Sequence, residues 1–193
     1  MKKIIVTTTI YEPTLATKKF SEMEGWELVV VGDTKTPHES YRKLNCTYLH
    51  PEDQENLSKE LSDSIGWKSI QRRNMGFLYA YLNGADVMAT VDDDNIPYDN
   101  WGKELYVGQE IDIDLWESHN GYFDPLSVTN RSDLWHRGYP IEFLGTKNNV
   151  EYRGKTKRKV LVQADLWDGD PDIDAMCRLS KKPCVKYDIQ EPY

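Results

Sequence analysis

A short apolar run, Val87-Met88-Ala89-Thr90-Val91, leads without a break into Asp92-Asp93-Asp94. A stretch of this length, rich in β-formers and bounded by Gly84-Ala85-Asp86, reads as a buried strand covering Asp86 to Val91. Side chains alternate along a strand, so Asp92 and Asp94 are expected on one face and Asp93 on the other. Carboxylates crowded in this way repel one another unless a cation or extra donors neutralise them. A hard divalent ion such as Mn²⁺ or Mg²⁺ prefers oxygen ligands and leaves positions open for phosphate oxygens. Ligands of open α/β sheets gather at the carboxyl ends of the strands. A solvated acidic turn is the bland alternative, and the buried strand before it and Asn95-Ile96-Pro97 after it count against that.

Alternating patterns surround this strand. Lys3 to Thr9 reads as a buried strand, Thr14 to Met23 as a helix, and Trp26 to Asp33 as a second strand closed by Gly32-Asp33. Thr47-Tyr48-Leu49 is a short third strand, and Pro51 to Ser62 a surface helix or loop. Trp67 to Asn83 carries Ile70, Phe77, Leu78, Tyr81 and Leu82 at helical spacing, with Gly84 placed to end the helix. Later, Lys159 to Trp167 reads as a strand and Pro183 to Ile189 as a last one. Asp170-Pro171 signals a helix start, running to about Leu179. The alternation predicts an α/β fold with a mostly parallel central sheet flanked by helices. A length of 193 residues fits one domain, 1–193.

Charge and cysteines bound the function classes. A net charge of −8 disfavours a general nucleic-acid binder, although one nucleotide needs only local cations. No apolar run approaches the ~20 residues of a membrane span, which predicts no membrane insertion. Cys46, Cys177 and Cys184 are too scattered for a disulfide framework or a zinc site. A soluble protein of a reducing, cytoplasmic setting is expected.

Two further clusters carry chemistry. Lys68-Ser69-Ile70-Gln71-Arg72-Arg73-Asn74 places cations in the first turns of a helix, where the dipole disfavours them. A bound diphosphate with its metal would offset that, gripped by Arg72 or Arg73 through paired hydrogen bonds. The turn Asp168, Asp170, Asp172, Asp174 follows a late strand, where a general base could stand. Asp170 is expected to cap the helix, which leaves Asp172, in its first turn, as the better base.

The order Ser69-Ile70-Gln71-Arg72-Arg73-Asn74-Met75-Gly76, Tyr79-Ala80, Asn83-Gly84-Ala85-Asp86-Val87, Asp92-Asp93-Asp94-Asn95 resembles the core of the STELLO-type glycosyltransferases. It is more distantly similar to the reversibly glycosylated polypeptides, which act as UDP-arabinopyranose mutases. Trp135-His136-Arg137-Gly138-Tyr139-Pro140 and Gly169-Asp170-Pro171-Asp172-Ile173-Asp174-Ala175 resemble later blocks of the group. The resemblance implies a single-domain GT-A fold, with a nucleotide-binding part at about 1–100 and an acceptor part at about 101–193. It implies a UDP-sugar donor, a Mn²⁺ or Mg²⁺ cofactor, and a carbohydrate or glycoprotein acceptor. Small transferases of this kind occur in bacteria and in large algal viruses, so the cytoplasm in question could be a host's. Carried over by position, Asp92-Asp93-Asp94 would be the DxD motif, with Asp94 the direct metal ligand and Asp92 near the ribose or the metal. Thr7, Thr8, Thr9 and Asp33 occupy the places that hold the nucleoside, and Lys68, Gln71 and Arg137 fall in the matching blocks. His136 or His119 would complete the metal shell or face the sugar.

Two other readings compete. A nucleotidyltransferase making a nucleotide sugar pairs a parallel sheet with acidic metal ligands, but usually carries a Gly-rich basic loop where this chain has Thr9-Ile10-Tyr11-Glu12-Pro13-Thr14. A non-catalytic module binding a nucleotide sugar needs the same donor site and no base.

Overall fold

The computed structural model describes residues 1–166, 168–181, 184–188 and 192–193. They form two compact units, Met1–Glu104 and Leu105–Tyr193.

In the first unit, strands β1 (Lys3–Thr9), β2 (Glu27–Gly32), β3 (Thr47–Leu49) and β4 (Val87–Thr90) make one sheet in the order β3-β2-β1-β4. All three pairings are parallel. Alternation splits the apolar strand residues between two faces. Ile4, Val6, Val29 and Val31 pack with Leu49, Met75 and Ala80, and helices α3 (Pro51–Leu57), α4 (Lys59–Ile65) and α5 (Arg73–Leu82) cover that face. Ile5, Leu28 and Val30 pack on the opposite face against Ala16 and Phe20 of α1 (Leu15–Ser21) and Tyr41 of α2 (His38–Tyr41). The expected α/β layout, a parallel sheet flanked by helices and consistent with a GT-A-like fold, is what the chain adopts.

Local chemistry sets the boundaries. Thr14 caps α1 by accepting from the Thr17 N–H, and Ser58 separates α3 from α4 with an extended backbone and caps the latter. The helix expected from Trp67 begins later, as a 3-10 turn at Ile70–Arg72 that continues into α5. The delay has a cause in the backbone, because Gly66 and Lys68 are left-handed, with φ of 70° and 62°. Gly84, at φ 70°, follows the Asn83 C-cap as expected. Gly76 sits mid-helix because a Cβ there would overlap Val6, so only glycine lets α5 lie against β1.

The second unit contains an antiparallel ribbon of β5 (Glu110–Ser118) and β6 (Val150–Lys159). Its core is Leu126, Leu134, Ile173, Cys177 and Val185. Three sequence expectations are corrected here. The strand expected over 159–167 lies earlier, and Leu161 and Val162 beyond it are 76% and 82% exposed. Cross-strand charge explains the shift, since the register sets Glu110, Asp112 and Asp114 opposite Lys159, Lys157 and Lys155. The late helix, α6 (Ala175–Ser180), is capped by Asp174, which accepts from the Met176 N–H at 2.8 Å, and not by Asp170. Ile173 forms an extended bridge with His136, so no helix can begin at Pro171 and Asp172 lies ahead of the first turn. Of the last expected strand, Val185 bridges Gly169, while Trp167, Pro183 and Ile189 lie outside the described residues. Among the described residues no helix is long and apolar enough to cross a membrane.

Candidate functional site

The parallel register brings the carboxyl ends of β1, β2 and β4 to one edge of the first unit. Thr9 closes β1, and its hydroxyl donates to the Asp93 carboxylate while accepting from the Tyr11 N–H at 3.1 Å. The Thr14 hydroxyl donates to the Asp93 carbonyl. Thr36 ties in the end of β2, donating to the Thr9 carbonyl at 2.6 Å and accepting from the Asp33 N–H at 2.8 Å. Thr7 and Thr8 lie inside the sheet, Thr8 donating to the Val31 carbonyl, so only Thr9 of the expected trio reaches the edge.

The buried strand expected over Asp86 to Val91 is the shorter β4, which ends at Thr90 and leaves Met88 45% exposed, so strand alternation does not reach the triplet, where Asp93 and Asp94 form a turn. The three carboxylates therefore differ in company. Asp92 pairs with Arg73, which also reaches the Thr90 hydroxyl at 3.1 Å. Asp93 is bound to β1, and Asp94 is exposed.

Arg72 and Arg73 part ways. Arg72 is fully buried, its guanidinium 3.8 Å from the Trp67 ring centroid, and donates to Gln54 Oε1 and to the carbonyl and hydroxyl of Ser62. Gln54 in turn donates to the Gly32 and Leu49 carbonyls at 2.7 and 2.8 Å. Desolvation lowers the Arg72 pKa, with the Asp33 and Glu55 charges acting against it. A side chain so enclosed is a brace between α3, α4 and the sheet, so the expectation that Arg72 grips phosphate is corrected. Arg73 remains at the edge, with its Nε buried and without a partner.

Asp33 is 2% exposed and accepts from the Thr34 N–H and hydroxyl and from the Lys68 N–H at 2.7 Å. It thus pins Lys68 in its left-handed conformation, a strained state for a residue with a Cβ. Lys68 and Gln71 are both exposed, and Gln71 Oε1 accepts from the Ser69 hydroxyl.

Asp92 and Asp94 supply the oxygen donors that Mn²⁺ or Mg²⁺ prefers. Among the described residues no group of three or more His, Cys, Asp or Glu is gathered to hold a metal, His136 included. Phosphate oxygens and water would have to fill the remaining positions.

The second unit assembles other predicted residues. His136 pairs with Ile173, the Arg137 N–H donates to the Asp172 carbonyl at 3.4 Å, and the Arg137 and Asp172 side chains form an ion pair. Asp170 pairs with Arg178, and His119 Nε2 lies 3.7 Å from Glu151. Asp124 has no counterpart in the sequence reading. It is 1% exposed, accepts from the Leu126 and His136 N–H groups at 2.9 and 3.1 Å, and lies 2.9 Å from His136 Nδ1. Burial pushes its carboxyl up, but the hydrogen bonds from the His136 ring and those two N–H groups, with the Lys147 charge, outweigh it and hold the pKa below the usual value. Asp124-Pro125 is a recognisable cap signature for the 3-10 turn Pro125–Val128, yet nothing in the sequence couples it to His136. Thr14, Thr36 and Gln54 were likewise unreadable as site-builders, since each acts across a distant pairing.

No family model matches the sequence. Among curated proteins, probable glycosyltransferase STELLO1 of Arabidopsis thaliana is 27% identical over 98% of this chain. The chain resembles the STELLO glycosyltransferases. Probable glycosyltransferase STELLO2 of the same plant is 26% identical over the same share. The STELLO similarity runs through both units, while the chain spans about 26% of the length of either relative.

Proposed function

We propose that the chain is a metal-dependent glycosyltransferase that takes a sugar from a nucleotide diphosphate, a UDP-sugar, and delivers it to a hydroxyl of a carbohydrate or glycoprotein. The observation that carries this reading is the similarity to STELLO1 and STELLO2 over 98% of the chain, with the acidic triplet at the sheet's carboxyl edge. Thr9, Asp33 and Lys68 are the nucleoside-side candidates, and Arg73 is the phosphate-side cation.

Asp94 and Asp92 would hold the ion, which when bound would neutralise charge on the departing diphosphate. The chain's own residues do the rest. Asp93 is fixed by Thr9 and Thr14, which sets the turn on which Asp94 stands. Arg73 balances Asp92 in the free protein and can exchange it for phosphate oxygens, since both are charge-assisted acceptors.

Thermal unfolding with UDP tests the reading, because a ligand that binds only the folded chain raises its melting temperature. UDP is expected to stabilise much more with Mn²⁺ than with EDTA, and a panel of UDP-sugars to give transfer. Equal stabilisation in both conditions removes the metal assignment. Binding without any transfer or hydrolysis leaves a non-catalytic module.

A further inference from the structure

We propose that the amino edge of the first unit's sheet carries a binding site for a neutral oligosaccharide chain, separate from the acidic triplet. Lys3 opens β1 and Trp26 precedes β2, so with every pairing parallel both lie at the edge opposite Asp92-Asp93-Asp94. The segment after the triplet returns to that edge, where the Trp101 ring centroid lies 5.2 Å from those of Phe20 and Trp26. Between this segment, the end of α1 and Trp26 is a cavity of about 610 Å³, within the ordinary range for a small-ligand site. Every residue lining it belongs to the first unit.

Three rings and a balanced charge give the ligand its class. Tyr98 is 66% exposed, while Trp26 and Trp101 are half-buried and held in place. Phe20 meets Trp101 edge-on, and Lys3 Nζ lies 4.8 Å from the Trp26 ring centroid. Gly102, at φ 71°, lets the backbone approach Trp26, since a Cβ there would come within 2.9 Å of Nε1. Neither the Trp26 nor the Trp101 indole N–H has a hydrogen-bond partner among the described residues, and neither is sealed from solvent. Lys3, Lys19 and Lys103 line the same cavity as Glu22, Glu24 and Asp99, so the charges cancel, and none of the six enters an ion pair among the described residues.

A phosphate or an acidic chain would meet the three carboxylates here, and a basic peptide the three ammonium groups. A neutral sugar ring meets no such penalty. Its hydroxyls donate to carboxylates and accept from ammonium and indole N–H groups, while its C–H face lies on an aromatic plane. Packing on the core accounts for the inner sides of Trp26 and Trp101. It does not account for an exposed Tyr98 or for six unpaired charges around one hollow. The site goes beyond the donor reading, which uses the carboxyl edge, and would hold a glycan without reacting with it.

Spectra correlating ¹H and ¹⁵N in the full chain, recorded in EDTA and without a donor, test this with neutral hexasaccharides of glucose, xylose and mannose. The Trp26 and Trp101 indole signals are expected to shift saturably with at least one of them, and not with inorganic phosphate or a sulfated hexasaccharide. Tyr98→Ala and Asp99→Asn, both at exposed positions, are expected to keep the parent's melting temperature and to weaken binding by roughly fivefold each. Adding Mn²⁺ and UDP should leave the affinity unchanged. Indole signals unmoved by every neutral chain overturn the proposal, and so does parent-like binding by both variants. A shift produced only by the anions also overturns it, as does displacement by Mn²⁺ with UDP, which would put the sugar chain at the donor edge. A parent that fails to bind UDP but still shifts these signals refutes the transferase reading and leaves this site standing.

Discussion

The hydroxyl of Thr9 donates to the carboxylate of Asp93, 84 positions further along the chain. That bond joins the end of β1 to the acidic turn after β4. It holds one of three neighbouring carboxylates in place before any ligand arrives, leaving Asp94 on the exposed side of the turn.

Thr9→Val removes this donor and leaves the Asp93 carboxylate with a lone pair unmet. The expected loss is about 1–3 kcal/mol of folding stability by urea denaturation, with Thr9→Ser close to the parent. An unchanged midpoint for Thr9→Val would show that the turn is held by the Thr14 bond to the Asp93 carbonyl alone.

Arg72 and Arg73 should separate folding from binding. Arg72→Ala strands Gln54 and Ser62 inside the unit and opens a void against Trp67, so it should cost about 2–4 kcal/mol. Arg73→Ala should fold nearly as the parent and weaken UDP about tenfold or more while leaving uridine unchanged, because the lost contact is charge-assisted. Isothermal titration with both ligands makes the comparison. If Arg73→Ala bound UDP like the parent, Arg73 would serve only to neutralise Asp92.

Much of the first unit was legible in the sequence because β1 and β2 are buried on both faces and Thr14 and Ser58 cap α1 and α4. Ile4, Val6, Val29 and Val31 announce themselves as one face, and Gly84 ends α5 where a glycine should. The ribbon in the second unit was not legible. β6 reads Val-Glu-Tyr-Arg-Gly-Lys-Thr-Lys-Arg-Lys, a strand stabilised by charges on its neighbour, and no hydrophobic period marks it. At the site, the acidic triplet was visible as a motif, but the separate fates of Asp92, Asp93 and Asp94 depend on Arg73 and Thr9. Arg72 and Arg73 look equivalent in sequence, and one residue of helical rotation sends the first into the core. Asp124 was missed because its significance lies in His136, 12 residues away.

Acid should expose the Asp124 contribution. Its folded pKa is depressed below the usual carboxyl value of 3.8, so the stability it contributes is fully present above that value and is lost as the pH falls through the lower, folded one. Urea midpoints measured from pH 6 down to pH 3 should therefore fall less steeply at the acid end in Asp124→Asn than in the parent. Parallel curves would mean that the Asp124 carboxyl titrates alike in the folded and unfolded chains.

Asp172→Asn and Asp94→Asn should fail in different ways, or one of them should not fail at all. The Asp172 carboxylate is paired with Arg137 in an exposed setting, where such pairs contribute about 0–1 kcal/mol, so the fold should survive its neutralisation. Held by Arg137, the Asp172 carboxylate is not free to take a proton, so Asp172→Asn should keep the Mn²⁺-dependent UDP shift and lose no more than a few-fold in kcat. Asp94→Asn should weaken that shift as well as turnover, since a metal ligand acts on the donor complex before the chemical step. A loss of about 10²–10⁴-fold in kcat for Asp172→Asn, with donor binding intact, would make Asp172 the base and the Arg137 pair a resting state that the acceptor displaces. Arg137→Ala then distinguishes the two accounts, because freeing Asp172 should raise or preserve kcat if that carboxylate is the base.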